Sequence, residues 1–373
     1  MQYKAIKTRL YLNKNDKEFL LMLMHSAKSL YNQALYNVRQ YFIENKEYLT
    51  YEENYKLLNK TSEHYRMLNT SQGQTISKKI SNQLFEVSHQ LDIKTRKELQ
   101  VYEGLNLQIE TPKCILNKQI KEITIKPKYD GQYIEVIHTY IEDDEPKTNT
   151  NRFTETMAID FGYNNLAYCA LSHGVHLHID GLKLKSMNQR YHKRLSYLSS
   201  VRPNQTVITR RMISLIEKRN NQTAYGINKA AKLIIEHAIS NHVGTIIIGY
   251  NEGFKDINLT DQFNQMSRSI PLARLRDRIV YLAKRYDIKT NVINEAYTSK
   301  SSYIDRDDIP DLNDKIKPSF SGKRTKRGLY VSETGIGINA DLNAALNILR
   351  KGKPDALWIG SKGWNTPKRT YLF

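Results

Sequence analysis

The hydrophobic positions change their period several times along the chain. Residues 2 to 12 alternate apolar and polar side chains, the period of a half-buried strand. From Leu20 through Leu23, Met24, Ala27, Leu30, Tyr31, Ala34, Leu35 and Val38 to Phe42 the spacing becomes three to four. That predicts one long helix reaching about Glu44, capped by Asn15 or Asp16. Helical patterns continue at 51–58, 63–68 and 72–91, read together as a small bundle. Beyond Thr111 the period returns to two, and the runs 120–126 and 133–140 flank Asp130-Gly131 as a hairpin. Three strand-length runs lie within 155–180, the first two joined by Gly162-Tyr163-Asn164-Asn165. A helical hairpin is expected at 185–240, then a buried strand at 244–250, a helix at 271–286 and a strand at 290–294. This β-α-β order predicts parallel neighbours with a right-handed crossover. Residues 297–338 carry no period and are too many for a plain connection. A helix over 339–352 follows, with Gly352 placed to end it, and the tail 353–373 shows no pattern.

These periods predict α/β, α and β parts in series. Residues 1–14 and 109–145 are expected to form a small β-barrel, with 15–108 inserted as a helical lobe. Residues 146–153 read as a polar, Pro-broken linker. Residues 154–352 read as an α/β domain carrying the helical hairpin 185–240 and the insert 297–338, with 353–373 as a tail. A length of 373 residues suits two or three domains.

Charge narrows the partner. Lys and Arg number 57 against 38 Asp and Glu, a net charge of +19, and 25 Tyr lie among the cations. Such a surface suits a polyanion, with rings available for unstacked bases. A Lys-, Asn-, Ile- and Tyr-rich chain also fits an AT-rich genome, which we weigh below nucleic-acid binding. Only Cys114 and Cys169 are present, too few for a disulfide scaffold or a four-cysteine zinc ribbon. The longest early apolar run, Phe19 to Met24, is too short for a signal segment or a membrane span, so a soluble cytoplasmic protein without membrane contact is expected.

The candidate chemistry is carboxylate. Asp160 ends an apolar strand whose two successors are also strands, which is how an RNase H-like nuclease core begins. Asp341 opens the last helix, where an acid is also favoured by the helix dipole alone. Hydrolysis of a phosphodiester with two divalent ions needs hard oxygen ligands of this type and a third carboxylate beside them. His176 and His178 are two apart, but no third ligand of suitable spacing is near, so a metal site there is disfavoured.

At this point the chain resembles the transposon-encoded TnpB nucleases, relatives of the miniature type V CRISPR effectors. The resemblance rests on Ala158-Ile159-Asp160-Phe161-Gly162-Tyr163-Asn164-Asn165-Leu166-Ala167, on Ile246-Ile247-Ile248-Gly249-Tyr250-Asn251, on Tyr297-Thr298-Ser299-Lys300-Ser301-Ser302 and on Asn339-Ala340-Asp341-Leu342-Asn343-Ala344-Ala345. Residues 26–38 and 64–74 also look like that family's recognition lobe. The resemblance implies an RuvC-like, RNase H-like nuclease domain, a barrel-like wedge domain and a helical recognition lobe. It implies a transposon-derived guide RNA, a target DNA read beside a short adjacent motif, and cleavage at one RuvC site with two Mg²⁺ ions.

The chain departs from the family twice. Serines stand in Tyr297-Thr298-Ser299-Lys300-Ser301-Ser302 where the family's insert usually carries a CxxC zinc ribbon, so no structural zinc is expected. Gly249 stands where the second motif usually ends in Glu. Glu295 ends the next parallel strand at the same sheet edge, as in some similar members, and is assigned with Asp160 and Asp341 as catalytic and Mg²⁺-binding. Glu252 and Glu236 are its competitors. The alternative is a guided DNA-binding protein that does not cut, motivated by Gly249; strand transfer by a transposase is a more distant reading. Arg194, Arg210 and Arg211 on the hairpin, and Lys323, Arg324, Lys326 and Arg327 on the insert, are assigned to nucleic-acid phosphates.

Overall fold

The computed structural model describes residues 2–68, 74–81, 84–89, 105–129, 131–142, 153–202, 207–251, 269–311, 318–355 and 367–373. The chain forms two compact units, Met1–Asp144 and Glu145–Phe373. The expected linker lies, but for Phe153, outside the described residues.

In the first unit, β1 (Gln2–Leu10) leads into α1 (Lys14–Asn45), α2 (Tyr51–Thr61) and α3 (Glu63–Leu68). The cap of α1 is Asn13, two residues earlier than expected, whose side chain accepts from the Asp16 amide at 2.8 Å. Then come β2 (Gln74–Ser81), β3 (Leu84–His89), β4 (Leu105–Glu110), β5 (Gln119–Lys128) and β6 (Tyr133–Glu142). The helix expected at 72–91 is therefore a correction: β2 and β3 pair antiparallel, and β3 pairs with β4. Thr75, Ile76 and Ile80 are β-branched, and in β3 apolar Phe85 and Val87 alternate with polar neighbours. These preferences outweigh a loose helical spacing. Of the expected barrel, the described residues show one sheet. Among the described residues β1, β6 and β5 form a three-stranded antiparallel sheet, with Gln2 opposite Glu142 and Leu10 opposite Ile134. Ile134, Val136, His138 and Tyr140 are buried at every second position of β6. Leu20 and Met24 of α1 pack in one apolar cluster with Ile134 and Ile125.

Among the described residues the second unit is built on a six-stranded sheet. Its strands are β7 (Glu155–Phe161), β8 (Asn165–Leu171), β9 (Leu177–Asp180), β10 (Val243–Gly249), β11 (Lys289–Ile293) and, last in sequence, β15 (Lys368–Tyr371). The order is β11-β10-β7-β8-β9-β15. β7, β8 and β9 run antiparallel in series; β10 is parallel to β7 and β11. The tail read as patternless supplies β15, parallel to β9, and Leu372 enters the core. Lys-Arg-Thr-Tyr offers no apolar alternation to read at an exposed sheet edge.

Helices cover both faces. α4 (Leu182–Ser200) and α5 (Arg210–Ser240) form the expected hairpin, and α6 (Leu272–Arg285) links β10 to β11. The second half of α5 is more than an insertion. Ile227, Ala230, Ala231, Ile234, Ile235 and Ala238 pack with Met157, Ile159, Ile246 and Ile248 in the largest core cluster. α7 (Ala340–Gly352) takes the other face, where Ile348 and Leu349 meet Ala158 and Ile247. The strand pleat makes this division: Met157 and Ile159 point one way, Ala158 the other. Ala340, Ala344 and Ala345 let α7 approach closely.

The insert is held by buried polar groups. β12 (Lys323–Lys326), β13 (Leu329–Val331) and β14 (Gly337–Asn339) form a small antiparallel sheet running directly into α7. Ser301 and Ser302 are fully buried. The Asp307 carboxylate accepts from the Ser302 amide at 2.7 Å and from the Ser321 hydroxyl at 2.5 Å. Asn343 donates to the Ser301 carbonyl at 2.8 Å and accepts from the Tyr303 amide at 3.0 Å. Asn347 donates to the Thr298 and Ser301 carbonyls at 2.9 and 2.7 Å. These amides satisfy backbone groups that would otherwise be buried unpaired.

Candidate active site

Three carboxylates reach the α7 face at one sheet edge. Asp160 follows Ala158 by two residues, so it shares that face, and its register partner Tyr168 packs against α7 residues Leu342 and Leu346. Ile293, the last residue of β11, pairs with Gly249 and packs on Ile348, and Glu295 lies two residues beyond it. Asp341 sits in the first turn of α7, whose cap Asn339 accepts from the Asp341 amide at 2.9 Å.

Gly249 explains how Glu295 fits. A Cβ built there would lie 2.4 Å from Ile348 Cδ1 and 3.3 Å from Glu295 Cβ. The space of a side chain at 249 is thus taken by α7 and by Glu295 itself. Gly162 has a similar role in the β7–β8 turn, where a Cβ would meet the Asn165 carbonyl oxygen at 2.6 Å.

The electrostatics follow from this crowding. Burial first, then the charges of Glu295 and Asp341, push the Asp160 carboxyl well above the usual carboxylate range; Arg324 works against them. Burial raises the Glu295 carboxyl to about 7. Tyr163 is also raised, by burial and then by Tyr250 and Glu295. Like charges brought together in a poorly solvated place favour protonation, or a cation between them.

Asp341 is engaged on both oxygens. Its Oδ2 accepts from the Asn165 side-chain amide, and its Oδ1 lies 3.5 Å from an Arg324 guanidinium nitrogen. Among the described residues no three His, Cys, Asp or Glu side chains close into a metal shell in this arrangement. The donor set still fits a hard divalent cation. All three candidates are carboxylates, and their mutual repulsion is what such an ion relieves.

The other expected residues are dispersed. Glu236 is exposed on α5 and pairs with Lys232 at 3.4 Å, and Glu252 lies outside the described residues. Arg194 on α4, and Arg210 and Arg211 at the start of α5, are exposed. So are Lys323, Arg324 and Lys326 on β12 and Arg327 after it, with Arg324 turned to Asp341 and donating to the Arg327 carbonyl. Arg219, part of the cation run on α5, is structural: it donates to Asn188 and to the Ser269 carbonyl, each at 2.7 Å. His176 and His178 do not act together. His176 Nδ1 accepts from the Leu171 amide at 3.2 Å, whereas His178 Nε2 lies 2.8 Å from Asn165 Oδ1. Sequence reasoning missed Asn165 and the Arg324 contact. Asn165 was read only as a turn former, and a contact to Asp341 across 176 residues leaves no local signal.

The fold and the site define a mixed α/β domain, with carboxylates at the ends of β7 and β11 and the start of α7. Residues 137–255 match the family described as "Probable transposase", of the OrfB type of IS605, and residues 273–348 match "Cas12f1-like, TNB domain". Neither match spans half of the chain, which is similar to TnpB-type and Cas12f-type proteins over these segments. A TnpB-like protein, ORF457 of Acidianus two-tailed virus, is 27% identical over 216 residues, 56% of this chain; the match takes in 43% of that relative's length. The protein in a solved Cas12f1–sgRNA–target DNA complex has the same general fold, with a TM-score of 0.53 at 14% identity over 91% of this chain and 83% of the other. No helix among the described residues is long and apolar enough to cross a membrane.

Proposed function

We propose that this protein is an RNA-guided DNA endonuclease that uses Asp160, Glu295 and Asp341. The observation that carries the reading is the convergence of these carboxyls, felt by Asp160 as repulsion from the other two. The partial likeness to TnpB-type proteins supports a nuclease, and the Cas12f1 likeness supports a guide RNA and a target DNA as partners. Mg²⁺ ions held by the three carboxylates would supply charge stabilisation to the attacking and leaving oxygens of the phosphodiester. The protein's part is to hold those carboxylates on a rigid sheet edge and to present cations to the nucleic-acid backbone. Arg194, Arg210, Arg211, Lys323, Lys326 and Arg327 are the residues assigned to phosphates. The insert 297–338 borders the site through Arg324 and is read as the target-binding element.

The non-cutting alternative drew on Gly249. With Glu295 lying against that glycine, the missing side chain no longer argues for a dead site. The test is cleavage of a plasmid target library by protein co-expressed with RNA from its flanking DNA, in Mg²⁺ and in EDTA. Metal-dependent cutting is expected, lost by at least 100-fold in Asp160→Ala and Glu295→Gln. Guided binding without cutting by the wild type would refute the nuclease; undiminished cutting by Glu295→Gln would refute the assignment of that residue.

A further inference from the structure

Resting on the nuclease reading above, we infer that Asn165 is a positioning residue for Asp341, itself oriented by His178. Asn165 opens β8 directly after the turn that Gly162 permits. Its side-chain nitrogen donates to Asp341 Oδ2, and its oxygen lies 2.8 Å from His178 Nε2. A carboxylate oxygen and an amide oxygen both accept, so only one amide orientation serves both partners. In that orientation the His178 Nε2 carries a hydrogen and donates it, and the Asn165 N–H faces Asp341. The His178 ring is fixed in turn, stacked on Tyr168 with centroids 5.3 Å apart and planes 13° off parallel. Tyr168 is buried and its register partner in β7 is Asp160. A line of contacts thus runs from Tyr168 through His178 and Asn165 to Asp341, and leaves Oδ1 as the oxygen facing Arg324.

The relay does no chemistry on a substrate. It holds one carboxylate oxygen still, so that the other points in a set direction. Partners of this kind behind a metal ligand are commonly worth about 10–100-fold in metal affinity or activity.

The experiment uses the full chain with Mn²⁺ as the probe, followed by paramagnetic resonance in the absence of nucleic acid. The wild type, Asn165→Leu, His178→Phe and His178→Gln are compared. Leu keeps the size of Asn165 without its hydrogen bonds; Phe keeps the stacking on Tyr168 without the donor; Gln restores a donor. Circular dichroism melts confirm that each variant is folded. Mn²⁺ binding weakened about 10-fold or more is expected in Asn165→Leu and His178→Phe, with recovery towards wild type in His178→Gln. Folded Asn165→Leu with wild-type Mn²⁺ affinity would overturn the positioning role while leaving the nuclease reading intact. A wild type that binds no Mn²⁺ would overturn both.

Discussion

Removing the charge of Glu295 should make the metal-free protein more stable at alkaline pH. Its carboxyl is raised by burial from an ordinary value of 4.5 to about 7. Below pH 4.5 it is protonated folded or unfolded and has no differential effect. As pH rises towards and through 7 the unfolded chain ionises freely, whereas the folded chain must ionise a poorly solvated group, so stability is lost. At 1.36 kcal/mol per pH unit of displacement, the loss above pH 7 is about 3 kcal/mol. For a unit of the size of Glu145–Phe373, 1 kcal/mol shifts a melting midpoint by about 2–4 °C, so the expected change is roughly 6–12 °C. The assay is thermal unfolding in EDTA at pH 5 and pH 8.5, for wild type and Glu295→Gln. The wild-type transition of this unit should fall by that much more between the two pH values than the variant's. Groups titrating elsewhere cancel in the difference, apart from Asp160, which feels the Glu295 charge and adds to it. Mg²⁺ at pH 8.5 should restore much of the wild-type loss and little of the variant's. Parallel pH dependence of the two proteins would refute the account of Glu295 as a carboxyl held against its ionisation.

Gly249→Ala should cost about 1–3 kcal/mol in denaturant unfolding, because the new methyl meets Ile348 Cδ1 at 2.4 Å; Ile348→Val, which deletes that carbon, should recover part of the loss, and an additive pair would contradict the contact. Replacing Arg194, Arg210 and Arg211 together by Ala should weaken binding to all nucleic-acid sequences alike and lower the slope of log affinity against log salt by about 2–3, at about 0.7–0.9 per phosphate. A loss confined to particular sequences would show that they contact bases instead.

Much of the second unit is legible in the sequence because its signals are local. Ile246-Ile247-Ile248 announces a buried strand, and Asn339 before Asp341 announces a capped helix. The placement of Glu295 just beyond β11 is legible by counting strands, since β10 and β11 are parallel neighbours and their carboxyl ends share an edge. What escaped depends on partners distant in sequence. β15 is defined by its pairing with β9, not by its own four residues. The core role of α5 depends on which half of a 31-residue helix meets the sheet. Arg324 was read as one cation in a basic loop, and its ion pair with Asp341 depends on the fold of the insert. The hairpin of β2 and β3 shows a weak helical spacing yielding to β-branched residues that find strand partners.

The late strand β15 also bears on how the protein is made. Lys368–Tyr371 pairs with Leu177–Asp180, and Arg369 reaches buried Asp180 at 2.5 Å. The two strands are about 190 residues apart, so at about 5–20 residues per second the ribosome needs roughly 10–40 s between them. Through that interval β9 is an open edge in the nascent chain, with backbone groups ready to pair with any other strand. Asp160, Glu295 and Asp341 are all synthesised before the edge is covered. The nascent protein therefore carries these three carboxylates while β9 still lacks the strand Lys368–Tyr371 that covers it.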